Sequence, residues 1–343
     1  MAEIKPVNNL NRIKLSEVVP LEVPFSAYVF PTTFCNFKCV YCAHSLGHEK
    51  MREKYDFEPQ TMTLNTYTKI IEQFKEFPRP LKLLSLTGQG EPLINKSLPE
   101  MIRLAKEAGV ADRIEIISNA SLLTNEKTIA LVDAGLDCLR VSLQGITAQK
   151  YKEMCGWDMN YDMFLSELTF FYEYGRGKCE FFLKVMDVSL NAEDENTFYS
   201  IFDNISDRMY IEKCRNAYEG VKFTENMREE TLGRWGNVHD PFAICPLSFF
   251  QVGIFPDGDV VPCDTIYKPI VLGNVHSETL KSMYSGEKLY KFQIEQLKNK
   301  RYKNSKCAVC TAPDDVSLPI DRLDDAVNEI FSRMLLKRNG DLL

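Results

Sequence analysis

Three cysteines lie close together near the start of the chain, in the segment TTFCNFKCVYCAHS. Cys35, Cys39 and Cys42 follow one another at spacings of four and three residues, so one short loop carries three thiols. Three thiolates cannot close a tetrahedral zinc site without a fourth ligand, whereas a four-iron cluster bound by three cysteines keeps one iron free for chemistry. The segment therefore predicts either zinc completed by the nearby His44 or His48, or an iron–sulfur cluster with an open iron.

A second set of four cysteines lies in the last third of the chain. Cys245 and Cys263 flank the segment FFQVGIFPDGDVVPCD, whose alternating apolar residues around a Pro-Asp-Gly turn predict a β-hairpin. Cys307 and Cys310 form a C-x2-C pair further along the chain. Four thiolates make a closed tetrahedral site, and considered by itself this set favours structural zinc over an iron–sulfur cluster.

The segments that must position these cysteines alternate regularly between strand-like and helix-like patterns. Apolar, β-branched runs alternate with segments whose apolar residues recur at helical spacing, several of which end in glycine. This alternation predicts an α/β fold with a parallel sheet curved into a partial (β/α)6 barrel similar to a TIM barrel, in which ligands gather where strands end. The predicted strands are at residues 26–34, 81–88, 113–119, 137–143 and 179–190, with a sixth ending near Cys214.

The alternation of predicted strands and helices ends after about residue 215, where a polar stretch predicts a linker. The last segment carries Leu323, Val327, Ile330 and Met334 at helical spacing, so we expect a helix over about 320–337 that packs against the barrel. The predicted organisation is an N-terminal extension (1–24), the barrel (25–215), the linker (216–240), a second module of hairpin and helix (241–320) and a C-terminal helix (321–343).

Composition excludes several classes of protein. The 343 residues carry a formal charge of −7, the wrong sign for a protein that binds nucleic acid mainly through phosphates, and no apolar run is long enough to cross a membrane. The first residues lack the pattern of a secretory signal, so we expect a cytoplasmic protein whose eleven cysteines are reduced. The basic segment KNKRYKNSK (298–306) is interpreted as a solvated face.

The pattern C-x3-C-x-φ-C, with Tyr41 directly before Cys42, resembles the radical S-adenosylmethionine (SAM) enzymes. The resemblance implies that Cys35, Cys39 and Cys42 hold a [4Fe-4S] cluster whose free iron binds SAM. In that superfamily the reduced cluster cleaves SAM to a 5′-deoxyadenosyl radical, which abstracts a hydrogen atom from the substrate. An external donor such as flavodoxin or ferredoxin would supply the electron.

The resemblance extends to polar residues at the ends of the predicted strands. The segment TGQGEP is similar to the family's Gly-Gly-Glu-Pro motif with Gln89 inserted, and glycine there would let backbone approach the SAM ammonium. Lys184 lies in an apolar strand, so it either pairs with an anion such as the SAM carboxylate or points outward into solvent. The residues implied to bind SAM are Tyr41, Gly88, Gln89, Gly90, Glu91, Ser118, Asn119, Ser142, Gln144 and Lys184; the two serines, Asn119 and Gln144 could equally be cap or turn residues.

In this context the second cysteine set resembles the C-terminal extension called SPASM, in its short "twitch" form. The resemblance implies that Cys245, Cys263, Cys307 and Cys310 hold one auxiliary [4Fe-4S] cluster, and no cysteine follows Cys310. A cluster bound by four protein thiolates has no iron left for substrate, so electron transfer is its expected role.

Four further cysteines remain: Cys138, Cys155, Cys179 and Cys214. Buried core thiols are common, and this is the ordinary interpretation of all four. A thiol that faces the substrate radical could instead return a hydrogen atom and make the enzyme an epimerase, and Cys155 and Cys214 are the best placed for that role.

The substrate is less determined than the chemistry. The segment before the first barrel strand is too short for a peptide-leader-binding domain, which favours oxidation or epimerisation of a small molecule such as a sugar or aminoglycoside. A peptide-modifying maturase is the main alternative. GTP cyclisation is disfavoured because that family ends in Gly-Gly, whereas this chain ends in NGDLL; methylation of ribosomal RNA is disfavoured by the acidic charge. A zinc- or cluster-binding scaffold or sensor would explain the cysteines but not the strand-end residues.

Overall fold

The computed structural model describes residues 1–6, 12–224, 231–238 and 240–340. Parts of the predicted N-terminal extension, linker and C-terminal segment therefore lie outside the described residues. Within them the strands form a continuous sheet in the order β1-β7-β6-β5-β4-β3-β2-β8-β9-β10. The strands are β1 Glu3–Ile4, β2 Ser26–Val29, β3 Leu83–Leu86, β4 Ile114–Ser118, β5 Cys138–Leu143, β6 Glu180–Met186, β7 Arg208–Glu212, β8 Gln251–Ile254, β9 Asp259–Val261 and β10 Gly273–Asn274.

Strands β2 to β7 are parallel neighbours in chain order, which confirms the predicted partial (β/α)6 barrel. Each crossover between them contains helix, as parallel pairing requires. The helices are α1 Leu15–Val18, α2 His48–Tyr55, α3 Leu64–Phe74, α4 Leu98–Ala108, α5 Asn125–Asp133, α6 Ala148–Cys155, α7 Tyr161–Gly175, α8 Asp194–Phe202, α9 Leu280–Tyr284, α10 Glu287–Leu297, α11 Ser305–Val309, α12 Ala312–Val316 and α13 Val327–Asn339. The described residues contain no helix with the length and hydropathy needed to span a membrane.

Helix starts follow local chemistry. Thr124 caps α5 by accepting a hydrogen bond from the Lys127 amide at 3.2 Å. Ser97, the residue before α4, makes no capping bond with its side chain; its amide donates to Asn95 Oδ1 at 2.9 Å instead. The apolar faces of these helices pack on the sheet and form one large buried core that contains residues of β2 to β6 and of β8.

The predicted hairpin forms from β8 and β9, and the Gly258 amide donates to the Phe255 carbonyl at 2.9 Å across its turn. β8 also pairs in parallel with β2, from Ser26 beside Gln251 to Val29 beside Ile254. The hairpin thus extends the barrel sheet at the strand that leads into the first cysteine loop, and this pairing brings the two cysteine sets to the same side of the molecule.

The C-terminal helix differs from the prediction in its start and its neighbours. α13 begins at Val327, because residues 319–321 and 324–326 form two short 3-10 turns instead. Ile330 and Met334 are buried as expected, in a small separate core that includes Leu15, Val19 and Phe249. The helix therefore packs against the N-terminal segment and the approach to the hairpin.

Candidate functional site

A cavity of about 190 Å³ opens at the carboxyl ends of the parallel strands, beside the first cysteine loop. This is the place where (β/α) barrels hold their ligands. Nearly all of the residues predicted to bind cluster or SAM line it together. They are Cys35, Cys39, Tyr41, Cys42, Gly88, Gly90, Glu91, Ser118, Asn119, Ser142, Gln144 and Lys184, with Glu212 as an addition.

Backbone hydrogen bonds fix the loop that carries the three cysteines. The Lys38 amide donates to the Cys155 carbonyl at 3.1 Å, and the Val40 amide donates to the Met154 carbonyl at 2.8 Å. On the other side, Asn119 Nδ2 donates to Asn36 Oδ1 at 3.0 Å. Because the end of α6 and the turn after β4 both bind this loop, its three thiols are held at the cavity wall.

The three thiols are set in a low-dielectric environment. Burial, together with the smaller effects of Cys42 and Glu91, raises the pKa of Cys35 to about 12. Burial also raises the pKa of Cys39 and of Cys42. Three neighbouring, partly buried thiols become thiolates when a strongly cationic group compensates their charge, so the donor set fits a bound metal cluster.

The histidines beside this loop have other contacts. Burial lowers the pKa of His44, and its Nε2 donates to the Gln89 carbonyl at 2.8 Å. His48 lies at the start of α2 with its ring edge toward Phe34. Each histidine thus has a neighbour of its own, the Gln89 carbonyl for His44 and the Phe34 ring for His48.

The glycines of TGQGEP are required by packing. A Cβ atom on Gly90 would lie 2.5 Å from the Thr32 carbonyl oxygen and 2.6 Å from that of Phe34. Gly88 has φ of +136°, and its Cβ position is occupied by the Phe30 ring. The turn after β3 therefore lies directly on the chain that leads from β2 into the cysteine loop, a contact that glycine alone permits.

Glu91 joins two strand ends. Its carboxylate accepts hydrogen bonds from Ser118 Oγ and the Asn119 amide, each at 2.7 Å, and from the Leu93 amide at 3.0 Å. Burial raises its pKa, while these three donors act in the opposite direction. Three protein donors occupy the carboxylate, so its contribution to the site includes holding β3 and β4 in register at the cavity.

Tyr41 and Gln144 contact each other across the cavity wall. The Tyr41 hydroxyl donates to Gln144 Oε1 at 2.6 Å, and Gln144 Nε2 donates back to the Ser142 carbonyl at 3.1 Å. This pair connects the cysteine loop to the end of β5. Ser142, two residues before Gln144 in the chain, lines the same cavity.

Lys184 points into the barrel, and its anion is a residue that the sequence analysis missed. Its Nζ donates to Glu212 Oε2 at 2.8 Å, and the two side chains are 9% and 2% exposed. Burial alone would raise the pKa of Glu212, but Lys184 and Arg234 outweigh it and lower the pKa to about 2. The available signal was the position of Glu212 at the end of the sixth barrel strand, opposite Met186.

The second cysteine set has its own pocket. Cys245, Cys263, Cys307 and Cys310 all line one small pocket. Burial raises the pKa of Cys245 to about 12 and of Cys310 to about 12, whereas the Arg301 guanidinium lowers both. Four thiols around one space, one of them buried and three partly buried, beside a fixed cation fit a closed, protein-ligated metal centre.

Gln89, the residue inserted between the two glycines, connects the two cysteine sites. Its Nε2 donates to the Asp264 carbonyl at 3.0 Å, next to Cys263. Its own carbonyl accepts from His44, two residues after Cys42. Gln89 does not line the cavity in the way that the predicted SAM-binding residues do; it bridges the first cysteine loop and the hairpin.

The remaining cysteines lie away from the cavity surface. Cys155 is 2% exposed and its Sγ donates to the Tyr151 carbonyl at 3.0 Å, and Cys214 is 3% exposed. Neither is among the residues that line the cavity. Cys138 and Cys179 are also buried, so in the structure all four resemble core thiols more than hydrogen donors.

Comparison with known proteins agrees with this arrangement. The model of the radical SAM superfamily matches residues 29–198, and that of the SPASM iron–sulfur cluster-binding domain matches residues 245–311. Among curated proteins, a probable GTP 3′,8-cyclase of Metallosphaera sedula is 36% identical over 129 residues, which are 37% of this chain and 36% of that protein. A tungsten-containing aldehyde ferredoxin oxidoreductase cofactor-modifying protein of Pyrococcus furiosus is 27% identical over 37% of each chain. The chain thus matches about a third of the length of these relatives.

Two solved structures share the fold over most of the chain. BtrN in complex with AdoMet and 2-DOIA gives a TM-score of 0.55 at 17% identity, covering 86% of this chain and 95% of that one. SuiB of Streptococcus suis bound to S-adenosylmethionine gives 0.60 at 16% identity, covering 92% and 79%. The domains imply SAM, a SAM-binding [4Fe-4S] cluster and an auxiliary cluster as cofactors. The chain belongs to the radical SAM superfamily and carries a C-terminal SPASM domain.

Proposed function

We propose that this protein is a radical SAM dehydrogenase that oxidises a polar small molecule at a C–H bond beside a hydroxyl or amino group. The observation that carries the proposal is the joint position of three features at one end of the barrel. They are the three-cysteine loop, the buried Lys184–Glu212 pair and the four-cysteine pocket joined to the loop through Gln89.

Each cysteine set has a distinct part. Cys35, Cys39 and Cys42 would hold the SAM-binding cluster, and Cys245, Cys263, Cys307 and Cys310 the auxiliary one. When bound, these groups supply a 5′-deoxyadenosyl radical that removes one hydrogen atom and an acceptor for the electron left on the substrate after its proton departs. The protein's own contribution is to orient the substrate C–H toward SAM; the departing proton passes to solvent water at the mouth of the cavity.

The polar wall of the cavity favours a hydroxylated or aminated substrate. Lys184 keeps further N–H donors beyond its bond to Glu212, and Glu212 remains ionised across the physiological range because its pKa is low. An ion pair in this position can donate to a sugar hydroxyl and accept from an amine without changing protonation state. The likeness to BtrN, whose complex contains 2-DOIA, supports the same substrate class.

The positions of the remaining cysteines favour oxidation over epimerisation. Epimerisation needs a hydrogen donor on the opposite face of the substrate radical, and neither Cys155 nor Cys214 lines the described cavity. Dehydrogenation needs an electron acceptor instead, and the four-cysteine pocket provides its place. None of the eleven cysteines, all of which lie in the described residues, forms a disulfide, which is compatible with the reducing cytosol that we propose as the location.

Peptide modification is the second candidate. It is favoured by the likeness to SuiB, a structure of which is bound to the precursor peptide SuiA, with a TM-score of 0.58. The named GTP 3′,8-cyclases match only about a third of their length, so their substrate is a less supported candidate for this chain.

The test is anaerobic reconstitution, reduction with dithionite and measurement of 5′-deoxyadenosine formed from SAM. Cys39→Ala should abolish its formation, whereas the matched control Cys179→Ala, which alters a buried thiol in the core before β6, should retain it. About eight irons per chain are expected for two four-iron clusters. Equal cleavage by native protein and Cys39→Ala would refute the assignment of the first site.

Candidate substrates then distinguish the two functions. Stimulation of 5′-deoxyadenosine formation by aminocyclitols or amino sugars, with transfer of deuterium from the labelled carbon, would support small-molecule oxidation. Stimulation by cysteine- or lysine-containing peptides alone would overturn it in favour of peptide modification.

A further inference from the structure

The four-cysteine pocket has two different sides. On one side, Cys263 is 8% exposed, and the adjacent Asp264 carbonyl accepts the bond from Gln89 of the barrel. On the other side, Cys307 and Cys310 are partly buried, as Cys245 is, and the residues between them, Ala308 and Val309, are exposed. The pocket therefore stands between the active-site end of the barrel and solvent.

The surface side is formed by the basic segment 298–306, which the sequence analysis interpreted as an ordinary solvated face. It contains five cations and no acidic residue, although the chain as a whole has a formal charge of −7. Lys298 and Lys303 are exposed, Lys300 is half-buried, and Lys298 Nζ lies 3.8 Å from Glu295 Oε1 at the end of α10. A basic segment on an acidic protein attracts negatively charged partners.

The same segment is built into the cysteine pocket. Arg301 Nη2 donates to the Cys307 carbonyl at 3.0 Å and to the Cys310 carbonyl. Asn304 Oδ1 accepts from the amides of Lys306 and Cys307, each at 3.1 Å, and so caps α11. Two of the basic residues, Arg301 and Lys306, thus line the pocket itself.

The surface also has the apolar component that a docking site needs. Tyr302, five residues before Cys307, is 64% exposed, and Val309, between the two cysteines of the C-x2-C pair, is 41% exposed. A few exposed aromatic and apolar side chains surrounded by charges of one sign are typical of transient interfaces in which electrostatics set the encounter rate.

From these observations we propose that segment 298–309 is the docking surface for an acidic one-electron carrier protein of the flavodoxin type. The carrier binds with its negatively charged rim on Lys298, Lys300 and Lys303 and its redox group toward Cys307 and Cys310. One electron moves between the carrier's flavin and the centre held by the four cysteines, so that one partner is oxidised as the other is reduced. The direction of transfer rests on the proposed function, but the docking does not.

The test compares two double charge reversals in the reconstituted protein. Lys300→Glu with Lys303→Glu changes the proposed surface while leaving Arg301 and the cysteines intact. Arg176→Glu with Lys178→Glu makes the same change of charge on the exposed turn before β6. This turn is at the start of the strand, whereas the cavity is at the strand ends. Equal iron content in both variants shows that neither disturbs the metal sites.

The first readout is binding of oxidised flavodoxin, measured by titration calorimetry at low and high salt. The native protein and the Arg176/Lys178 variant should bind alike, with affinity that falls as salt increases, and the Lys300/Lys303 variant should bind about tenfold or more weakly. Equal affinity of all three proteins would overturn the proposal. Equal competition by an acidic protein without a redox centre would also overturn it, because the surface would then be a nonspecific cation patch.

The second readout separates docking from chemistry. Formation of 5′-deoxyadenosine with dithionite should be the same in all three proteins, whereas oxidation and reduction of flavodoxin by the Lys300/Lys303 variant should be slower. Loss of dithionite-driven cleavage in the native protein would refute the proposed function and leave the binding result intact. Unchanged flavodoxin kinetics in the variant would refute the docking surface and leave the proposed function intact.

Discussion

Replacing Glu212 by Gln should destabilise the protein strongly, because it leaves Lys184 buried without its anion. The Nζ–Oε2 distance is 2.8 Å and both side chains are nearly inaccessible. At an effective dielectric constant of about 20 the attraction is roughly 6 kcal/mol, from which the desolvation of both ions must be subtracted. Lowering of the Glu212 pKa from 4.5 to about 2 corresponds to about 3 kcal/mol. We therefore expect the free energy of unfolding to fall by about 3 kcal/mol at neutral pH.

The pH dependence has a definite sign. The folded-state pKa of Glu212 is lower than its unfolded value of 4.5, so its contribution is complete above pH 4.5 and is lost as pH falls toward about 2. The difference between native protein and Glu212→Gln should be constant from pH 7 to pH 5 and decrease below that.

Anaerobic pulse proteolysis across a urea series measures the change at equal iron content. The matched control is Asp158→Asn, which breaks the exposed Lys152–Asp158 pair at 2.6 Å and should cost less than about 1 kcal/mol. The double change Lys184→Met with Glu212→Leu removes both charges and should recover much of the loss. The reasoning would be refuted if Glu212→Gln cost no more than Asp158→Asn, or if the double variant were less stable than Glu212→Gln.

Three further changes test the site. Gly90→Ala should lower the iron content of the first site and should lower the free energy of unfolding by a few kcal/mol, because a Cβ atom has no space there. Gly175→Ala is the control, since the nearest contact of its Cβ would be at 3.6 Å. Iron analysis measures the first effect and urea unfolding the second. Gln89→Ala should increase hydrogen exchange in the segment after Cys263 without loss of iron at the four-cysteine site; unchanged exchange would show that its bond to Asp264 is dispensable. Cys155→Ala should leave the product unchanged, and that product should contain as much solvent deuterium as the product of the native protein. A lower deuterium content would identify Cys155 as a hydrogen donor.

The barrel could be predicted because its signals are local. Each strand is an apolar run, each intervening helix has apolar spacing of its own, and parallel pairing of consecutive βα units leaves few alternative topologies. The cysteine sets could be predicted for the same reason, since the spacing of Cys35, Cys39 and Cys42 within one loop limits the metal group that they can hold.

The partners of the polar residues could not be predicted in this way. Lys184 and Glu212 are 28 residues apart, and Gln89 contacts a carbonyl 175 residues away. Such contacts depend on which strands become neighbours and on which face of the strand each side chain occupies, and local sequence leaves both open. The C-terminal helix was placed against the barrel for the same reason: its apolar face was visible, but not the surface that covers it.

By itself, the sequence determined the chemistry: three thiols on one loop leave an iron open, four elsewhere close a site, and alternating strands and helices bring strand ends together. The tertiary structure decided how these parts are connected. Parallel pairing of β8 with β2 places the hairpin beside the first cysteine loop, and Gln89 spans the two sites. It also places the basic segment 298–306 at the second cysteine site, where Arg301 and Lys306 line the pocket. The sequence could not show this, because the position of a charged segment relative to a site depends on how distant parts of the chain pack together.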